Sequence, residues 1–134
     1  DAQHKFFRLK IPSSFITDPH IQFMSANSLN ENDVVVAISQ SGTTSALVNS
    51  VKILRKAGVK VIGIMPGNTP LANICNYPLT INVGENNRIS KPNTSRIAYT
   101  AVIDVLTMGV AQLKPEAQDH LYNIADSQRS LRIK

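Results

Sequence analysis

The stretch Asp33, Val34, Val35, Val36, Ala37, Ile38 is an unbroken, mostly β-branched run that ends at Ser39, Gln40, Ser41, Gly42, Thr43 and Thr44. Branched side chains are stiff at χ1 and pack well on a pleated surface. A continuous apolar run, in place of an alternating one, predicts a strand covered on both faces, the habit of parallel sheets. Beyond the turn, Leu47, Val48, Val51, Leu54 and Arg55 recur at the spacing of an amphipathic helix over residues 45–57. Gly58 is placed to end that helix in a left-handed cap. Lys60–Met65, with Val61, Ile62 and Ile64, then reads as a second buried strand. Strand, helix and strand in this order predict an α/β domain built on a parallel sheet.

The flanking segments fit that frame. Residues 1–9 predict a helix without a cap of its own, and residues 14–16 a short strand. Asp18 and Pro19 open another helix, because a carboxylate accepts from first-turn amides and proline has no N–H to lose there. Ile21, Met24 and Ser28 share one face of it. Residues 66–69 predict a turn, 70–73 a short helix, 79–83 a further strand and 84–93 a polar loop. Residues 94–113 predict one long helix, apolar around much of its circumference through Ile97, Ala98, Ala101, Val102, Val105, Leu106 and Val110. Such a helix must be covered on most sides. One sheet covers one face, so a second subunit is expected on the rest, with Met108, Val110 and Leu113, or the last helix from Pro115 to about Arg129, at the contact.

Composition narrows the partners. The 134 residues suit one domain. A single cysteine, Cys75, excludes an internal disulfide and a thiolate zinc cage, and a core position is expected for it. No signal peptide is apparent, so a cytoplasmic setting is expected. The longest apolar run, Val34–Ile38, is too short to cross a bilayer as a helix, and no membrane partner is expected. Lys and Arg number 14 against 9 Asp and Glu, a net charge of +5 that suits an anionic partner. Apart from Arg129, Arg132 and Lys134 the cations are scattered, and interleaved stacking aromatics are absent, so direct nucleic-acid binding is not expected of this segment. His4, His20 and His120 lack metal-ligand spacing; neither metal nor cofactor is expected.

The chemistry concentrates in the 39–44 turn. Ligands gather at the carboxyl ends of parallel strands. A helix start there offers unpaired amides and the positive end of the dipole, and the hydroxyls of Ser39, Ser41, Thr43 and Thr44 add donors. Gly42 permits close backbone approach. A phosphate monoester is the complementary ligand; the plain alternative is a strand-to-helix turn rich in residues that cap helices well. The turn lacks the Gly-Lys-Ser/Thr of a Walker loop.

The run VVAISQSGTT at 35–44 resembles the Ser-x-Ser-Gly-x-Thr signature of the sugar isomerase (SIS) domain. HKFFRL with Ile11 and Pro12, DPHIQFMSA at 18–26 and SRIAYTAVIDVL at 95–106 resemble the RpiR-type transcriptional regulators, and among them the hexose-metabolism repressors. The resemblance implies a three-layer sandwich with a parallel, flavodoxin-like sheet flanked by helices. Ser39, Gln40, Ser41 and Thr44 match the positions that hold a phosphosugar's phosphate, with Gly42 and Thr43 in the same turn. It further implies a sensor that binds a phosphosugar such as 2-keto-3-deoxy-6-phosphogluconate, assembles as a homodimer or tetramer, and reaches DNA only through an N-terminal helix-turn-helix domain that this chain does not contain. Residues 1–134 would form the sensor domain, beginning after the family's first strand and phosphate loop.

Glu85 supports a rival. SIS isomerases place a glutamate near this point as a base beside a sugar carbonyl, so a phosphosugar isomerase is the alternative. A solvated loop carboxylate is the plainer reading, and the sensor reading assigns no catalytic residue. Arg88, Lys91 and Arg96 lie in or after the same loop, where they could pair with a sugar acid's carboxylate or phosphate. A bare dimerisation domain without a ligand is the third possibility. Asp104, on the long helix, is read as a hydrogen-bonded residue at an interface.

Overall fold

In the computed structural model of the chain, which describes residues 1–83 and 93–131, the strands β1 (Val34–Ile38), β2 (Lys60–Met65) and β3 (Tyr77–Thr80) form one parallel sheet in that order. The helices are α1 (Ala2–Arg8), α2 (Pro19–Ala26), α3 (Ser45–Lys56), α4 (Pro70–Ile74), α5 (Asn93–Leu113) and α6 (Pro115–Ser130). A parallel sheet flanked by helices is the expected α/β class. Two compact units divide the chain: Ile16–Tyr99, and Asp1–Phe15 together with Thr100–Lys134.

In Ile16–Tyr99, β2 is central and completely covered at Val61, Ile64 and Met65. Val61 and Met65 join Ala37 of β1, Val48, Val51 and Leu54 of α3, Val59, Leu71 of α4 and Ala26 of α2 in one core. α3 spans the predicted helix, and Gly58 closes it at φ +81°, a left-handed position that favours glycine. β1 pairs with β2 in register Val34 with Lys60 through Ile38 with Ile64.

Cover on both faces of β1 does not hold. Val35 and Ala37 turn to the core, whereas Val34 is 63% and Ile38 39% exposed. The cause is position: among the described residues β1 has β2 as its sole ladder neighbour, which leaves it at the sheet's edge.

Two other expectations are corrected. Residues 14–16 form no strand; Gln3 Nε2 donates to the Ser13 carbonyl (3.0 Å) and Gln22 Nε2 to the Ile16 carbonyl (3.1 Å), so helix side chains take backbone acceptors that a ladder would use. The last strand lies at Tyr77–Thr80 instead of 79–83. Asn76 sets its start by accepting from Val61 N–H through Oδ1 (2.8 Å) while its own N–H donates to the Val61 carbonyl (2.9 Å). Pro78 is tolerated because, among the described residues, β3 is an edge strand.

Asp18 caps α2 as expected, its Oδ1 accepting from His20 N–H (2.9 Å) and Ile21 N–H (3.0 Å). Ile21 and Met24 lie on an exposed side, and Ser28 falls past the helix end. The buried side is that of Ala26, whose small side chain admits α2 to the core alongside Leu29.

In the second unit, Leu9, Ile103, Thr107 and Ala117 are buried. Lys5 on α1 bridges Asp1 (2.8 Å) and Asp104 of α5, so Asp104 is hydrogen-bonded as expected. Along α5, Ile97, Val105, Met108 and Leu113 are exposed. Contrary to the estimate from unbroken runs, Thr94–Leu113 is long and apolar enough to cross a membrane, with a mean hydropathy of 1.2. Its threonines and glycine interrupt the apolar run without lowering the mean below that level. Asp104 argues for protein cover, since an aspartate at a bilayer's centre costs about 2.5–3.5 kcal/mol.

Candidate functional site

The 39–44 turn leaves β1 at the carboxyl edge of the sheet and enters α3. Ser39 is buried and held at three backbone or side-chain points. Its N–H donates to the Ile64 carbonyl (3.0 Å), its Oγ accepts from Gly42 N–H (3.0 Å), and its carbonyl accepts from the Tyr99 hydroxyl (3.3 Å). Ser41 Oγ accepts from Thr43 N–H (3.2 Å) at an exposed position. In these bonds both serine oxygens act as acceptors, so each O–H proton can serve an acceptor outside the turn.

Gly42 adopts φ +63°, and a Cβ there would lie 2.3 Å from Thr69 Oγ1. The Gly42 carbonyl also accepts from Leu71 N–H (3.1 Å), so the start of α4 backs the turn. Thr69 is itself fixed, donating to the Pro66 carbonyl (3.0 Å) and accepting from Ala72 N–H (3.3 Å).

The helix starts differ in a way that matters for chemistry. Asp18 and Thr69 close α2 and α4 with side-chain hydrogen bonds. Thr44, at the N-cap of α3, makes none. The turn therefore joins an uncapped helix start, with its positive dipole end, to two hydroxyl donors and a glycine. That donor set can receive a tetrahedral oxyanion.

Gln40 Nε2 donates to Ser95 Oγ (3.4 Å), which brings the first turn of α5 to the site. Arg96 follows Ser95 on α5 and is exposed. Glu85, Arg88 and Lys91 lie outside the described residues, as does the rest of the 84–92 stretch. Sequence reasoning missed Thr69, Ser95 and Tyr99. A signal existed for Thr69, since Thr followed by Pro marks a helix start; nothing local marks the other two.

His4 lines a hollow of about 300 Å³ with Gln3, Phe7 and Ser13. Another, of about 370 Å³, is lined by Lys52, Arg55, Lys56, Asn73, Ile74 and Cys75. Residues 39–44 do not line the second hollow. Burial pushes the Cys75 thiol pKa up, with a smaller opposing effect from Arg55, and its side chain packs against the core. Among the described residues no group of three His, Cys, Asp or Glu converges.

Comparison with known proteins adds the family. The chain is 38% identical over 128 residues to the HTH-type transcriptional regulator HexR of Pseudomonas aeruginosa, covering 95% of this chain and 45% of that protein. It is 39% identical over 111 residues to the Bifunctional protein glk of Burkholderia thailandensis, covering 83% of this chain and 17% of that one. The chain thus spans less than half the length of these relatives. Among solved structures, the Vibrio vulnificus NanR protein complexed with ManNAc-6P superposes with a TM-score of 0.85 over 99% of this chain and 51% of that one, at 21% identity, a likeness of fold. The SIS domain model matches residues 1–109, which take in the whole sheet, the 39–44 turn and most of α5, and the chain belongs to the SIS domain family.

Proposed function

We propose that this chain is the effector-sensing and oligomerisation part of a bacterial DNA-binding transcriptional regulator of carbohydrate metabolism, and that it binds a phosphosugar without turning it over. The observation that carries the reading is the 39–44 turn, where an uncapped helix start meets the hydroxyls of Ser39 and Ser41 over a glycine at φ +63°. The identity with a protein named as an HTH-type transcriptional regulator supports a regulatory role. Ser39, Gln40, Ser41, Gly42, Thr43 and Thr44 take the phosphate. Glu85, Arg88, Lys91 and Arg96 serve the sugar, and the effector is a phosphosugar such as 2-keto-3-deoxy-6-phosphogluconate. DNA is reached through a helix-turn-helix domain outside this chain, and the setting is cytoplasmic. Residues 1–134 act as one sensor domain that pairs with a second copy. Effector binding favours one arrangement of subunits over another, and its differential affinity for the two biases the distant module.

Thermal shift with 2-keto-3-deoxy-6-phosphogluconate, N-acetylmannosamine 6-phosphate and inorganic phosphate tests this. A phosphosugar raises the Tm, and Ser41→Ala with Thr44→Ala removes most of the rise. An unchanged rise in that variant refutes the site. Turnover of an aldose or ketose phosphate that Glu85→Gln abolishes overturns the sensor in favour of an isomerase.

A further inference from the structure

A turn that receives an anion must keep its carbonyl oxygens away from it, because each is the negative end of a peptide dipole. Besides Thr44, whose carbonyl opens the α3 ladder at Val48 N–H, two carbonyls of the 39–44 turn are drawn off by donors outside it: Gly42 by Leu71 N–H at 3.1 Å, and Ser39 by the Tyr99 hydroxyl at 3.3 Å. The second is unusual in kind. Its donor is a side chain 60 residues away, on a different helix, and Tyr99 is only 6% exposed. A trans peptide is planar, with its N–H opposite its C=O. Holding the Ser39 oxygen toward α5 therefore turns the Gln40 N–H the other way.

We infer that Tyr99 is the positioning residue of the turn: it sets the peptide between Ser39 and Gln40, and through it anion binding is coupled to the first turns of α5. The inference rests on the proposed anion site and adds its link to α5. Gln40 Nε2 on Ser95 Oγ (3.4 Å) is a second tie between the same two segments. Coupling of this kind is reciprocal, so an anion that fixes the turn also steadies Ser95 to Tyr99, and loosening Tyr99 weakens the anion's grip.

The test uses the full chain, inorganic phosphate as probe and Tyr99→Phe, which keeps the buried ring and deletes only the hydroxyl. Phosphate affinity is read by ³¹P NMR titration, and backbone order by hydrogen exchange of peptides covering residues 95–103. In the unaltered chain phosphate slows exchange in those peptides. In Tyr99→Phe that slowing disappears and affinity falls by about three- to ten-fold, the equivalent of one modest hydrogen bond. A merely structural tyrosine would lower the Tm while leaving the phosphate-dependent slowing in place, and that result overturns the inference. Phosphate binding by the unaltered chain with no change in α5 exchange overturns the coupling but leaves the anion site standing. No phosphate or phosphosugar binding by the unaltered chain overturns both.

Discussion

The backbone of Gly42 rests against the side chain of Thr69 so closely that a Cβ at residue 42 would lie 2.3 Å from Oγ1, 2.6 Å from Cβ and 2.8 Å from Cγ2 of the threonine. The contact joins the turn after β1 to the start of α4. Gly42→Ala faces two separate penalties: about 1–2 kcal/mol for an L-residue at φ +63°, and overlap with a buried threonine that is hydrogen-bonded in place. A loss of about 2–4 kcal/mol is expected in urea unfolding. Gly42→Ala with Thr69→Ala recovers only part of it, because the residue-69 Cβ stays too near.

Ser39 and Ser41 separate structure from binding. Ser39 Oγ accepts from the buried Gly42 N–H, so Ser39→Ala strands that donor and costs about 1–3 kcal/mol. Ser41 is exposed and bonds an exposed amide; Ser41→Ala stays within about 0.5 kcal/mol of the parent. Chemical denaturation checks both. Equal losses would show that the two hydroxyls do not divide the work in this way.

The parts of this architecture written in consecutive residues were legible, and those decided by distant neighbours were not. Val34–Ile38, the hydroxyl-rich turn and the amphipathic α3 announce themselves locally, and so do the Asp18 cap and Gly58. How far β1 is covered depends on what lies beside it, which its own run cannot encode. The last strand begins at Tyr77 and not at residue 79 because Asn76 is anchored against Val61, a partner 15 residues away that the local run cannot name. At the site, Tyr99 and Ser95 reach the turn from 60 and 55 residues away. Their side chains are unremarkable in sequence and acquire a role only when α5 is laid beside the turn.

Val105 and Met108 are 71% and 64% exposed on α5. If that face meets a second copy, Val105→Glu with Met108→Glu places two charges in the contact and weakens association. Folding stability changes by about 0.5 kcal/mol or less per substitution, since both positions are solvated in the single chain. Sedimentation velocity across a concentration series is the check. Unaltered sedimentation places the subunit contact elsewhere.

The Lys5 and Asp104 side chains are 25% and 50% exposed. Water screens such a pair, so Asp104→Asn is expected to cost no more than about 1 kcal/mol, and less in high salt. Urea unfolding at low and high ionic strength measures it. A loss that ignores salt would mean that the carboxylate acts through something other than this pair.

Cys75 gives the chain a pH dependence of defined sign. Burial raises its thiol pKa in the folded state, with Arg55 opposing that shift more weakly. The unfolded chain therefore releases this proton at lower pH than the folded one. Below the unfolded pKa both states hold the proton and the contribution is fully present. As pH rises past 9.0, the thiol's ordinary value, the unfolded state ionises first and gains stability, so the folded state loses ground until its own thiol ionises. Lysines and tyrosines titrate in the same range, so the measurement is a difference: unfolding free energy against pH for the parent and for Cys75→Ala. The parent should fall more steeply above pH 9 than the variant. Parallel curves would mean that the thiol's environment in the folded chain is no drier than in the unfolded one, which would contradict its packing against the buried core.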